Sequence, residues 1–182
     1  DDLKLVLAYH QTSKHHFHRY AAGPCDLDWD TQPDPFRRYH GAALIALDRV
    51  EPSAEPRFEP AFYAGRVAPR ALDRASLSQL FFDSLSISAW KEHGSARWAL
   101  RCNPSSGTLH PSEGYLISGS VPGLLERPAV LHYAPKEHAL ELCAELPIEV
   151  WRELSAGLAP PVLLLGLTPI HWREAWKYGE RA

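Results

Sequence analysis

One stretch of the chain repeats its apolar residues at helical spacing. Leu77, Leu80, Phe81 and Leu85, with Ser84, share a face, and the spacing predicts a helix over residues 77–87. Ser76-Leu77-Ser78-Gln79 has the S-x-x-Q form of a capping box. Beyond this helix, residues 96–100 predict a short extended piece and 115–121 a strand. Residues 129–133 and 139–143 alternate on either side of the polar turn Pro135-Lys136-Glu137-His138, which predicts a hairpin. Pro147 opens a further helix with Ile148, Trp151 and Leu154 on its inner face, and Gly157 stops it. The apolar run 162–167 predicts a strand buried on both faces. Thr168-Pro169 then predicts the N-cap and first turn of a last helix, on which Trp172 and Trp176 sit four apart.

The first third of the chain lacks such periods. Residues 3–9 read as a short helix or an extended arm, and 12–20 are rich in His, Lys and Arg. Residues 23–69 are dense in proline, with only 42–47 apolar enough to pack, so this region is expected to wrap a neighbour rather than build a core. The division expected is an irregular arm and wrap segment over 1–70, followed by a regular unit over 71–182.

Composition narrows the functional classes. The 182 residues are 45% hydrophobic and 23% charged, ordinary values for a globular domain with a real core. A net charge of −3 argues against nucleic acid or an anionic membrane as the main partner. No apolar run approaches a membrane span, and Asp1-Asp2-Leu3-Lys4 does not resemble a secretory signal. Cys25, Cys102 and Cys143 are too few and too scattered for a disulfide framework or a zinc site, so reduced cysteines in a cytoplasmic protein are expected. The absence of methionine, at position 1 included, fits a processed chain, a fragment and an incomplete sequence equally.

The richest chemistry lies in residues 101–115. Pro104 and Pro111 remove backbone donors, Gly107 permits a positive φ, and Ser105, Ser106 and Thr108 bring three hydroxyls between Arg101 and His110. Such a loop presents donors to a flat polar ligand or an anion; a tight connection with incidental serines has the same composition. His110 either orients a ligand or caps the loop against its own backbone. Glu113 reads as an anchor rather than a catalytic acid, and no base is visible beside Cys102. His10, His15, His16, His18 and His40 cluster without Asp or Glu and beside Lys14 and Arg19, so they read as a polar arm and no metal is assigned. No dinucleotide or P-loop glycine pattern occurs.

The loop, with Trp90, Trp98 and the helix before it, resembles the nitroreductase-like flavoprotein superfamily, and within it the SagB-type dehydrogenases. Members read roughly R-x-N-P-S-S-G-A-L-H-P-T-E-x-Y here. Arg101, Asn103, Pro104, Ser105, Ser106, Gly107, Leu109, His110, Pro111, Glu113 and Tyr115 match in order, while Thr108 and Ser112 depart. Tyr9-His10-Gln11-Thr12-Ser13-Lys14 is similar to the family's Y-H-x-x-T-K, with Ser13 inserted. Phe36-Arg37-Arg38-Tyr39-His40-Gly41-Ala42 is similar to F-K-x-Y-P-G-A, with His40 in place of proline. Lys136-Glu137-His138-Ala139-Leu140 and Trp176-Lys177-Tyr178-Gly179-Glu180-Arg181-Ala182 also fit.

The resemblance implies an α+β fold, a mixed and mainly antiparallel sheet packed with helices, of which residues 71–182 are the N-terminal part. It implies FMN, held in a groove shared by a homodimer or by two tandem halves. Arg101, Asn103, Pro104, Ser105, Ser106, Gly107 and His110 are its implied cofactor-binding set, with no catalytic side chain assigned. NAD(P)H as donor and a small-molecule or azoline-peptide substrate follow from the same likeness. Family members continue past the K-Y-G-E-R-A segment, commonly with a late turn that grips the flavin phosphate. Arg66, Arg70 and Arg74 are spaced unlike the family's early R-R-S. Another segment or chain is therefore expected to complete the phosphate end. The competing reading is a non-catalytic scaffold or partner domain that keeps the fold without a complete flavin site.

Overall fold

The expected hairpin forms, and the other strands are laid against it. The computed structural model describes residues 1–24 and 26–182. Its elements run α1 (Asp2–Ser13), β1 (Leu44–Ala46), α2 (Arg74–Leu85), β2 (Ile87–His93), β3 (Ala96–Arg101), β4 (Ser112–Ser118), β5 (Ala129–Ala134), β6 (Ala139–Glu145), α3 (Ile148–Leu154), β7 (Leu163–Pro169) and α4 (His171–Tyr178). Five strands form an antiparallel sheet in the order β1-β6-β5-β4-β7, and β2 and β3 form a separate hairpin. The α+β architecture with an antiparallel sheet is the one expected. Cys102 and Cys143 are free thiols, while Cys25 lies outside the described residues.

The two faces of the sheet differ chemically. Leu116 pairs with Leu131 and Tyr133 with Leu140, and these four are buried in one cluster with Leu77 and Phe81 of α2. Phe81 stacks on Tyr133 at 4.7 Å between ring centroids. Each such buried side chain stabilises the fold by about 1.5–3 kcal/mol relative to exposure. Because side chains alternate across a strand, Glu113, Tyr115, His132 and Glu141 face the other way. That second face is polar, and it leads to the candidate site.

Several boundaries depart from the pattern. Helix α2 starts at Arg74, not Leu77, because Asp73 is the cap: its carboxylate accepts from Ser76 N at 2.8 Å and Ser76 Oγ accepts from Asp73 N at 3.1 Å. Ser76 is thus the third helical residue, and Gln79 reaches Glu51 O and Asp83 instead. Asp73→Ala is expected to cost about 0.5–2 kcal/mol, read as a drop in the urea unfolding midpoint. Strand β4 begins at Ser112 and stops at Ser118. Of the run 162–167, residues 163–167 belong to β7 at the sheet edge, where Leu165 is 51% and Leu167 71% exposed, so it is not buried on both faces. Thr168 and Pro169 finish that strand, and α4 starts after Ile170. Ile148 and Leu154 of α3 are exposed rather than facing inward. No helix among the described residues is long and apolar enough to cross a membrane.

Candidate functional site

Residues 101–111 connect β3 to β4, and the backbone there is strained. Gly107, Thr108 and His110 all have positive φ, at 69°, 56° and 45°. For a β-branched threonine this region is costly, and such strain persists only where the surroundings enforce it. Ser106–Thr108 form a single 3₁₀ turn, with Thr108 N donating to Ser105 O at 3.2 Å. Ser105 Oγ accepts from His110 N at 2.9 Å, and Ser106 Oγ bonds Tyr178 OH at 2.6 Å. The closing segment of the chain therefore lies directly on the loop. A Cβ at position 107 would sit 2.7 Å from Lys177 Nζ and 3.1 Å from Tyr178 OH.

The two ends of the loop are clamped from beneath. Arg101 Nη2 donates to Pro35 O at 2.5 Å, and its guanidinium lies 5.2 Å from the centroid of the Phe36 ring. Burial pulls Arg101 down to about 10; Glu113 opposes this and Arg173 reinforces it. Arg173 Nη1 donates both to His110 O and to Glu113 Oε1, each at 2.6 Å. Glu113 Oε2 lies 2.8 Å from His132 Nε2, and His132 Nδ1 lies 2.7 Å from Glu141 Oε2. Arg38 Nε closes the row on Glu141 Oε1 at 2.6 Å. Burial would raise the Glu141 carboxyl, but the bonds from Arg38, His132 and the Tyr39 backbone outweigh it and hold it low.

All seven candidate residues lie in this loop, and four polar atoms in or beside it lack partners. Among the described residues, Arg101 Nε, Asn103 Oδ1, His110 Nδ1 and Arg173 Nε are buried polar atoms without one. His110 Nε2 faces Ala99 O at 3.1 Å, so it carries the proton and Nδ1 is left as an acceptor. Asn103, half-buried, also lines an apolar cavity of about 430 Å³ with Phe81, Leu85, Tyr115, Leu165 and Leu167. Pro104 and Ser106 are exposed. The arginines considered for an anion do not gather here: Arg74 is engaged by Asp48 Oδ1, Ala46 O and Gly123 O, and Arg70 lines a different cavity beside α2.

Of the candidate histidines in the arm, His15 accepts from Ala21 N and meets Arg181 Nη1, and His16 meets Gln11 O. Sequence reasoning missed His132, Glu141, Arg38 and Arg173. The available signal was a histidine and a glutamate inside otherwise apolar hairpin strands, at Leu131-His132-Tyr133 and Leu140-Glu141-Leu142.

Two histidines give the fold an acid-sensitive window. Burial lowers His110 and His138 below the ordinary 6.5, against weaker opposing bonds to Ala99 O and Asp48 O. The unfolded chain then binds more protons than the folded one as pH falls below 6.5, so stability declines there. Their contribution is fully present above 6.5. The urea midpoint is expected to fall as pH drops through that window, and to fall less in His110→Gln/His138→Gln. The low Glu141 carboxyl acts in a separate window, below its ordinary 4.5.

No family model and no curated protein matches the chain. Among solved structures, it is similar to the crystal structure of a "putative nitroreductase" from Anabaena variabilis, with a TM-score of 0.68 and 26% identity. The match covers 97% of this chain and 34% of that one, so the chain spans about a third of that protein's length.

Proposed function

On the premise of a nitroreductase-like fold, we propose that this chain supplies one part of an FMN-dependent oxidoreductase of the SagB type, with the 101–111 loop receiving the flavin ring. The observation that carries this reading is the concentration of unpartnered buried polar atoms at the loop. A donor, Arg101 Nε, and two acceptors, Asn103 Oδ1 and His110 Nδ1, suit a ligand edge that itself mixes donors and acceptors. Leaving such atoms unpaired costs about 1–3 kcal/mol each, which a bound polar edge or ordered water offsets. The pyrimidine edge of a flavin has this mixed character.

The residues fit the ring end of FMN. The engagement of Arg74 leaves the phosphate to another segment or chain. FMN, when bound, supplies two-electron exchange between a reduced donor such as NAD(P)H and an organic or azoline-type acceptor. The loop's part is to hold and orient the ring and to favour negative charge on it, with Arg101 and Arg173 as the nearby cations. The proposed setting is a cytoplasmic homodimer or tandem pseudo-dimer, supported by the exposed Leu165 and Leu167 on the edge strand. Light scattering of flavin-loaded protein should report more than one such unit; a flavin-loaded monomer of this chain alone would reject that part.

The test of the cofactor is direct. Purified protein, reconstituted with FMN and then denatured, should release stoichiometric FMN on chromatography. Release of FAD instead, or no flavin retained, rejects the reading. In fluorescence-quenching titrations, Ser105→Ala and Ser106→Ala should each weaken FMN binding by about 0.5–1.5 kcal/mol. Arg101→Ala should cost more, since its bonds are charge-assisted.

One observation favours the second reading, a non-catalytic partner domain. Ser105 and Ser106 already have partners within the chain, and Lys177 and Tyr178 fill the space over Gly107. A colourless protein that refuses FMN yet binds a partner chain would decide for it.

A further inference from the structure

The charged row on the second face of the sheet runs from one end of the loop to the other. At the loop's start, Arg101 is held by Pro35 O. Three residues along, Arg38 begins the row through Glu141, His132, Glu113 and Arg173, which ends on His110 O. Tyr39 N adds a 3.1 Å bond to Glu141 Oε1, and Tyr39 OH meets Tyr115 OH at 2.6 Å. Glu141, His132, Glu113 and Arg173 are all buried. Each carboxylate turns one oxygen to the imidazole and the other to a guanidinium, so no oxygen of the row is idle.

Stability does not account for this arrangement. Apolar side chains of equal volume usually serve a core as well or better than buried ion pairs. What a buried network with every carboxylate oxygen and both imidazole nitrogens paired adds is a single allowed arrangement of the elements it joins. The elements joined here are the segment 33–41, three neighbouring strands and α4. Strand register places the three middle groups together: His132 is opposite both Glu141 and Tyr115, and Glu113 is two residues from Tyr115.

We propose that Arg38, Glu141, His132, Glu113 and Arg173 form a positioning circuit that couples segment 33–41 to the 101–111 loop. Seating of that segment then sets how firmly the loop is held and how well it receives its ligand. None of the five need touch the ligand; they act through the carbonyl of His110 and the anchoring of Arg101. The ligand arm rests on the flavin reading above, whereas the circuit itself does not.

The test uses the full chain and the variants Arg38→Met, Arg173→Met and their combination, with Arg127→Met as a control for losing an exposed cation paired with Glu145. Backbone hydrogen exchange is followed across residues 101–111, and FMN is titrated by fluorescence quenching. Each single variant should speed exchange in the loop roughly tenfold and weaken FMN binding roughly fivefold. The double variant should be little worse than the stronger single, because either break opens the same circuit. Arg173→Lys, which keeps the charge and a donor, should restore most of the protection, and Arg127→Met should change nothing.

Unchanged loop exchange in Arg38→Met overturns the proposal, as do effects that simply multiply in the double variant. If Arg173→Met does not fold, Arg38→Met against Arg38→Lys decides alone: faster loop exchange in the methionine variant with protection kept by lysine supports the circuit, and equal exchange in both overturns it. Failure of the parent to bind FMN rejects the flavin reading and leaves the exchange measurement to judge the circuit.

Discussion

Glu113→Ala is expected to destabilise the fold by about 3–5 kcal/mol, the cost of leaving a buried charge without its partner. The carboxylate lies between Arg173 and His132, and its removal strands a buried guanidinium that has no second acid to turn to. Arg173 would keep only His110 O, and the imidazole would lose one of its two partners. Glu113→Gln keeps the volume and an acceptor, so it should cost clearly less. Urea unfolding followed by circular dichroism measures both. A cost below about 1 kcal/mol for the alanine variant would mean that Glu113 does not hold Arg173 and His132 as the distances describe.

Gly107→Val is expected to abolish flavin binding at the loop and to cost the fold about 2–4 kcal/mol. Valine is strained at φ 69°, and its Cβ meets the end of Lys177 and the Tyr178 hydroxyl. Lys177 can swing away cheaply, but Tyr178 is tied to Ser106 Oγ and its displacement loses that bond. Gly157→Val separates the two causes. Gly157 has φ 79° but no atom within 4 Å of its Cβ position, so only backbone strain applies there. FMN titration alongside urea unfolding should show Gly107→Val losing both binding and stability, and Gly157→Val losing stability alone. Undiminished FMN binding by a folded Gly107→Val protein would remove the loop from the proposed flavin site.

The loop was legible because its seven candidate residues lie within ten positions and carry their chemistry locally. Its setting was not. Arg38, His132, Glu141 and Arg173 come from four other places in the chain, and each alone has an ordinary surface or core explanation. Helix α2 was legible from its period, yet its start was misplaced because two capping signals overlap at Asp73-x-x-Ser76 and Ser76-x-x-Gln79. Strand β2 escaped notice because Ile87-Ser88-Ala89-Trp90-Lys91-Glu92-His93 is polar and mostly exposed. It is a strand because β3 pairs with it, Trp90 opposite Ala99 and Lys91 opposite Trp98.

Local dihedral preference and side-chain period are properties of neighbouring residues, so the sequence by itself determined α2, the 129–143 hairpin and the irregular proline- and glycine-bearing loop. Strand order, edge position and register are long-range. The apolar run in β7 could have been central or peripheral until only β4 paired with it. Likewise, a histidine and two glutamates within strands are liabilities until register brings them to one face and two arginines arrive at its ends. Only the tertiary structure decided that meeting, because buried charges find their partners through the packing of elements and not through their spacing along the chain.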